Sequence, residues 1–485
     1  MVAEIKPGGA DPSPPDIQED WAMRIVLLLS LLTASADAGL VLDTILPVPD
    51  PVEFMYLVPA FNKLYAGGRS ARIYVFNCED EELTGIISPS GFGEVYPYPA
   101  WAAQHNKLYF PVSHNPISDE SCALAVVDVT TDSLLKVIEL NTRYWGSSYF
   151  PIAWNSALNK IYVSCYDSLL VIDGNTDSIS KVIHCEDYIL GGFVFWDSVD
   201  NCVYVGSEGW ASRYNVTVID CATDSIVAVI PTRVFLPCNA VYSPKQHKLY
   251  VGGAAEGNEV AVIDCSSKRL IGHIRGIAYY VDYFPAYASA GDKIYWPAEP
   301  DSWDVIITID CQNDSITGTI DEIAGMRFYF CSQAYSEECN HVYISFTTWD
   351  YRRWVAVLNS KNDSVLSYLS IQARVFQDML WNPVNRKVYL AGYWDSCIYV
   401  FRDSLVGVEE RGVVSSPAEA EPTLVRSILY LPERAGAAGK PVLVDITGRR
   451  VRELVPGAND VRGLTPGVYF VRSNAGVERK VVIAR

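Results

Sequence analysis

One tripeptide, Lys-(Leu/Ile/Val)-Tyr, returns along the chain at Lys63-Leu64-Tyr65, Lys107-Leu108-Tyr109, Lys160-Ile161-Tyr162, Lys248-Leu249-Tyr250, Lys293-Ile294-Tyr295 and Lys387-Val388-Tyr389. Degenerate copies, Cys202-Val203-Tyr204 and His341-Val342-Tyr343, fill the gaps. The eight tyrosines lie 44, 53, 42, 46, 45, 48 and 46 residues apart. A repeat of about 45 residues built from strand-like segments is one four-stranded unit that buries its faces only against its neighbours. The spacing predicts an all-β fold, a β-propeller with one blade per repeat: eight blades, or seven if one repeat is displaced.

Each repeat holds four strand signals. The first is aromatic, as in Phe150-Pro151-Ile152-Ala153-Trp154, and the second is the Lys-Leu-Tyr segment, whose alternation predicts a half-buried strand. The third is β-branched, as in Val218-Ile219-Asp220, and the fourth reads Lys181-Val182-Ile183 or its like. Between third and fourth stands a tight turn, Thr131-Asp132-Ser133, Thr176-Asp177-Ser178, Thr223-Asp224-Ser225, Asn313-Asp314-Ser315 or Asn362-Asp363-Ser364. Recurrence makes it structural, with Asp and Ser bonding nearby amides. Eight residues before each tyrosine stands Leu57 or an aromatic residue, such as Trp154 or Trp196, placed to fill the gap between blades. The last repeat has only a weak fourth strand at Leu405–Val408. The orphan segment Val41–Leu46 is expected to complete that blade and clasp the ring.

At 485 residues more than one compact unit is expected. The formal net charge is −19, and residues 39–404 alone carry about −18, which disfavours a nucleic-acid partner. Arg24, the apolar run Ile25–Leu32 and Ala36-Asp37-Ala38 have the layout of a signal peptide at 23–38, with 1–22 an upstream extension from a mis-set start. A run of eight residues is too short to cross a membrane, and no transmembrane segment is expected in the mature chain. The twelve cysteines lie between Cys78 and Cys397. Cys78, Cys221, Cys265 and Cys311 share one repeat position and should not pair with one another. Cys202 and Cys221, at facing ends of adjacent strands, are a possible disulfide. No metal or cofactor motif is present, and neither is expected.

Two stretches resemble known families. Val218-Ile219-Asp220-Cys221-Ala222-Thr223-Asp224-Ser225-Ile226-Val227-Ala228-Val229-Ile230 and Asn159-Lys160-Ile161-Tyr162-Val163-Ser164 resemble the YVTN-type β-propeller repeat over residues 40–404. That resemblance implies an exported or surface-bound binding module. After a linker at 405–422, strand signals at Leu424–Leu431, Val442–Ile446, Val451–Leu454, Gly467–Arg472 and Lys480–Ala484 predict a small Ig-like β-sandwich over 423–485. The segments Leu443–Val451, Leu464–Arg472 and Lys480–Ile483 resemble the C-terminal sorting domain of type IX secretion. This implies delivery by secretion machinery across inner and outer membranes, to the surface or the medium.

Catalytic signals are sparse. His105, His247 and His341 precede second strands and are expected to be solvated, and there is no nucleophile elbow or phosphate loop. The connections from fourth strand to next first strand carry Arg143, Arg233, Arg275, Arg327 and Arg374, with Tyr144, Trp145, Tyr280, Asp282 and Phe328 close by. In a propeller these connections share one face. Arg forks and aromatic rings there suit an anionic glycan or an acidic peptide, while ion pairing within the fold is the alternative role. The sequence therefore points to a non-enzymatic binding module. Two alternatives remain: a hydrolase or lactonase with a channel metal near Glu53, Glu94, Asp282 and Asp378, or a structural surface-layer component.

Overall fold

The computed structural model describes residues 39–404, apart from 92, 114–121, 141–150, 166–167, 186–189, 208–213, 235–236, 254–258, 277–284 and 300–302. It also describes 423–483, apart from 426–427, 432–440, 446–448, 456, 466 and 474–475. The chain divides into two compact units, Met1–Gly407 and Val408–Arg485. Among the described residues no helix is long and apolar enough to cross a membrane.

The first unit holds eight antiparallel sheets in chain order, consistent with a propeller. Seven are four-stranded. In the second sheet the short strands Glu94–Val95 and Ala100–Ala102 share one edge position beside Lys107–Ser113. Leu40–Pro47 pairs antiparallel with Cys397–Asp403 as the fourth strand of the eighth sheet, so this strand completes the sheet that the sequence assigned it to. The last sheet also bonds the first. Asn382 Nδ2 donates to Asn62 Oδ1 at 2.9 Å, and Asn385 Nδ2 donates to the Cys78 carbonyl at 2.8 Å.

The second strands differ from the half-buried expectation. Leu64, Tyr65, Ile161, Tyr162, Leu249 and Tyr250 are all fully buried. Each sheet is covered on both faces by its neighbours, so alternation here sorts residues between two cores instead of between core and water. The lysine and tyrosine of one sheet reach the turn aspartate of the next. Lys63 and Tyr65 both bond Asp132 at 2.7 Å. Lys107 and Tyr109 bond Asp177 at 2.7 and 2.6 Å. Lys160 and Tyr162 bond Asp224 at 2.7 Å. Lys248 and Tyr250 bond Asp314, and Lys293 and Tyr295 bond Asp363. The buried tyrosine hydroxyls are held well above their ordinary pKa, first by burial and then by the carboxylate.

The turn aspartates thus latch sheet to sheet. The local turn is made by the residue that ends the third strand, where Asp128, Asp173 and Asp310 accept the amide two residues on, each at 2.7 Å. The gap-filling aromatics meet their neighbours: Phe195 and Tyr242 of adjacent sheets lie 4.8 Å apart, and Trp381 stacks on Tyr343 at 5.4 Å.

All twelve cysteines are free thiols, so Cys202 and Cys221 form no disulfide. The register pairs Cys202 with Asp220. The Cys202 side chain then enters the core shared with the fifth sheet, and that of Cys221 the core shared with the third. Opposite faces of one sheet keep the two sulfurs apart. The solvated reading fails for two histidines. His341 is buried with Nδ1 at 2.7 Å from Asp403, and His247 bonds Asp197.

The second unit has a five-stranded sheet in which Thr423–Val425, Gly476–Ile483, Gly467–Ser473, Val442–Asp445 and Arg450–Glu453 lie side by side. Ile428–Leu431 pairs separately with Gly457–Asp460, a strand not foreseen in the sequence. Its core is Leu429, Leu443, Leu454, Val461, Tyr469, Val471 and Val481.

Candidate functional site

Antiparallel order sends the second-to-third and fourth-to-first connections of every sheet out at one end, and the tight turns out at the other. The latches occupy the turn end. The predicted binding residues belong to the connection end. Arg143, Tyr144, Trp145, Tyr280 and Asp282 lie outside the described residues.

The other predicted residues take three forms. Arg233 is exposed, with a backbone φ of 60°. Three arginines face carboxylates: Arg275 lies 3.0 Å from Glu259, Arg327 lies 3.6 Å from Glu322 and Arg374 lies 3.9 Å from Asp395. Their side chains are 77, 60 and 74% exposed. Pairs this wet are worth about 0–1 kcal/mol, so a stronger anion can displace them. Phe328 is fully buried against Phe346 at 5.6 Å, and its ring packs the core.

The connection end also bears aromatic residues that sequence reasoning missed. Trp303 stacks on Tyr329, centroids 4.9 Å apart and planes 26° from parallel, and Trp349 lies 5.7 Å from Trp303. Trp349 is 72% and Tyr351 81% exposed. The mounting is rigid. The Phe330 amide donates to buried Asp304 at 2.7 Å, and the Asp304 amide donates to the Phe328 carbonyl, which ties the connection carrying Trp303 to the strand carrying Tyr329. The Tyr351 amide donates to the Thr348 carbonyl, and Thr348 Oγ1 donates to Asp350 at 2.6 Å, closing the loop that displays Trp349 and Tyr351.

Arginines lie among these rings. Arg353 donates to the Tyr351 carbonyl at 3.2 Å and, through Nε, to the Arg374 carbonyl at 2.9 Å. The signal was present in Trp349-Asp350-Tyr351-Arg352-Arg353. It lies in a second-to-third connection, outside the fourth-to-first connections in which the arginine pattern recurs. Flat, exposed rings beside guanidinium groups can stack on sugar faces and pair with carboxylate or sulfate.

Of the four channel-metal candidates, Asp282 lies outside the described residues, and Glu53 and Asp378 have partners. Glu53 bonds Arg69 at 2.8 Å, and burial raises its pKa. Asp378 accepts the amides of Met55 and Met379 at 2.7 and 2.8 Å. No family model and no curated protein matches the chain.

Proposed function

We propose that this chain is an exported or cell-surface eight-bladed β-propeller of YVTN type that acts as a non-enzymatic binding module for an anionic glycan. On this reading an Ig-like tail over 423–485 serves as the secretion-sorting domain. The observation that carries the binding role is the stack of Trp303, Tyr329 and exposed Trp349, with Tyr351 alongside and Arg327, Arg353 and Arg374 at the same end of their sheets. Exposed rings held in a fixed array cost solvation without helping the core, which favours a surface kept for a ligand. Sugars supply apolar faces for the rings, and their carboxylates or sulfates supply the charge for the arginines. An acidic peptide would use the arginines but not the stacked rings.

An anionic-polysaccharide array tests this. Trp349→Ala with Tyr351→Ala should weaken retention by about tenfold or more, equivalent to about 1.4 kcal/mol. Arg327→Gln with Arg374→Gln should make the remaining binding less sensitive to salt. Equal retention of wild type and both double variants would sink the glycan reading.

A further inference from the structure

Between the fourth and fifth sheets, at the turn end and far in sequence from the aromatic array, the repeat is broken at several positions together. The lysine of the latch is replaced by Cys202 and the turn aspartate by Lys268. Tyr204 donates to the Cys265 carbonyl at 3.1 Å, and Lys268 pairs with Asp200 at 3.2 Å. Beside this stand Asp197, His247 and Cys265, whose ligating atoms all lie within 4.8 Å of one another. At the preceding interface the same three positions are Asn155, Asn201 and Cys221, and Asn155 Nδ2 simply donates to Asn201 Oδ1 at 2.8 Å. A thiol recurs at this position. A carboxylate and an imidazole joined to it occur among the described residues at this interface alone.

We propose that Asp197, His247 and Cys265 form a binding site for a divalent transition-metal ion of the zinc class. One oxygen, one nitrogen and one sulfur donor suit zinc or cobalt and disfavour calcium or magnesium. Tetrahedral zinc with ordinary bond lengths sets its ligand atoms about 3.3–3.8 Å apart, so side-chain rotations of about 1 Å close the triad. The supports are built. Asp197 is fully buried, and its Oδ1 accepts the Val199 amide at 3.0 Å, which leaves Oδ2 for the site. His247 Nδ1 lies 2.9 Å from Ser266 Oγ, and Nε2 lies 2.9 Å from Asp197 Oδ2. The serine hydroxyl can give or take a proton. It can therefore accept from Nδ1–H once Nε2 binds metal, as ligating histidines require. The Tyr242 hydroxyl oxygen is buried without a hydrogen-bond partner among the described residues and lies in the field of Asp197 and Cys265. The Tyr242 ring meets that of His247 edge-on, with centroids 6.1 Å apart. Lys268 neutralises Asp200 and leaves the two charges of Asp197 and the thiolate to balance the cation. Binding releases the thiol proton to solvent as the sulfur–metal bond forms.

Titration of the chelator-treated full chain with Co²⁺ and Zn²⁺ tests the site. The expected result is one equivalent of Zn²⁺ by calorimetry and a cobalt–thiolate charge-transfer band with Co²⁺. Cys265→Ser should abolish the band. Asp197→Asn and His247→Asn each restore a residue that the repeat uses elsewhere and should fold normally. Each should weaken Zn²⁺ binding at least tenfold. Absence of a cobalt–thiolate band in wild type would overturn the proposal, as would equal Zn²⁺ affinity in wild type and both asparagine variants.

Discussion

A single residue in an unusual backbone state joins one sheet to the next. Asp132, Asp177, Asp224, Asp314 and Asp363 all have φ between 50° and 62°, a region that Asp tolerates better than most side chains. That twist turns the carboxylate toward the neighbouring lysine and tyrosine. The residue before each second strand is left-handed too: Asn62, Asn106, Asn159, Asn201, His247, Asp292, Asn340 and Arg386. In two sheets its side chain accepts from a gap-filling tryptophan, Trp154 to Asn159 at 3.1 Å and Trp196 to Asn201 at 3.2 Å. Asp378 behaves differently. Burial pushes its carboxyl up to about 6 against an ordinary 3.8. It therefore stays protonated in the fold over a range where it ionises in the unfolded chain. The resulting stabilisation is full below about pH 4 and is lost as pH rises through about 6. Wild type should lose about 2 kcal/mol relative to Asp378→Asn between pH 4 and 7, read from denaturant unfolding at each pH. A parallel pH profile for both proteins would contradict this assignment.

At the scale of the strand and the sheet interface, the fourth–fifth pairing offers a direct trial of the latch. Cys202→Lys with Lys268→Asp rebuilds the arrangement seen at Lys160, Tyr162 and Asp224. Lys268→Asp alone places a third carboxylate near Asp197 and Asp200 and should destabilise. The double variant should recover, with a coupling energy of about 1–3 kcal/mol from urea unfolding of all four proteins. Additive effects would mean that the latch contributes through its parts and not as a unit. The existence and order of these strands were legible in the sequence because hydrophobic alternation recurs in every repeat and the Asp-Ser turn in five of the eight. The burial of both faces was not, since a period of two is the same whether the second face meets water or another sheet. Gly457–Asp460 was missed because Gly, Asn and Asp are depleted in strands, and pairing with Ile428–Leu431 overrides that preference.

For the molecule as a whole, Leu40–Pro47 supplies the last strand of the last sheet from the other end of the repeat region. Deleting residues 39–47 should leave Cys397–Asp403 as an open edge and produce soluble aggregates by size exclusion, with a peptide of residues 39–48 restoring the monomer. A deletion protein that stays monomeric, with its thermal midpoint within about 2 °C of wild type, would show the strand to be dispensable. The sequence by itself determined the repeat, the strand order and the structural nature of the turns, because each rests on local chemistry that returns about every 45 residues. Tertiary structure alone decided three things. Latch partners lie some 60–70 residues apart, as with Lys63 and Asp132, a separation no local pattern encodes. The sulfurs of Cys202 and Cys221 part because strand register assigns them to opposite faces. Trp303 and Trp349, carried by separate connections, meet only when neighbouring sheets pack side by side.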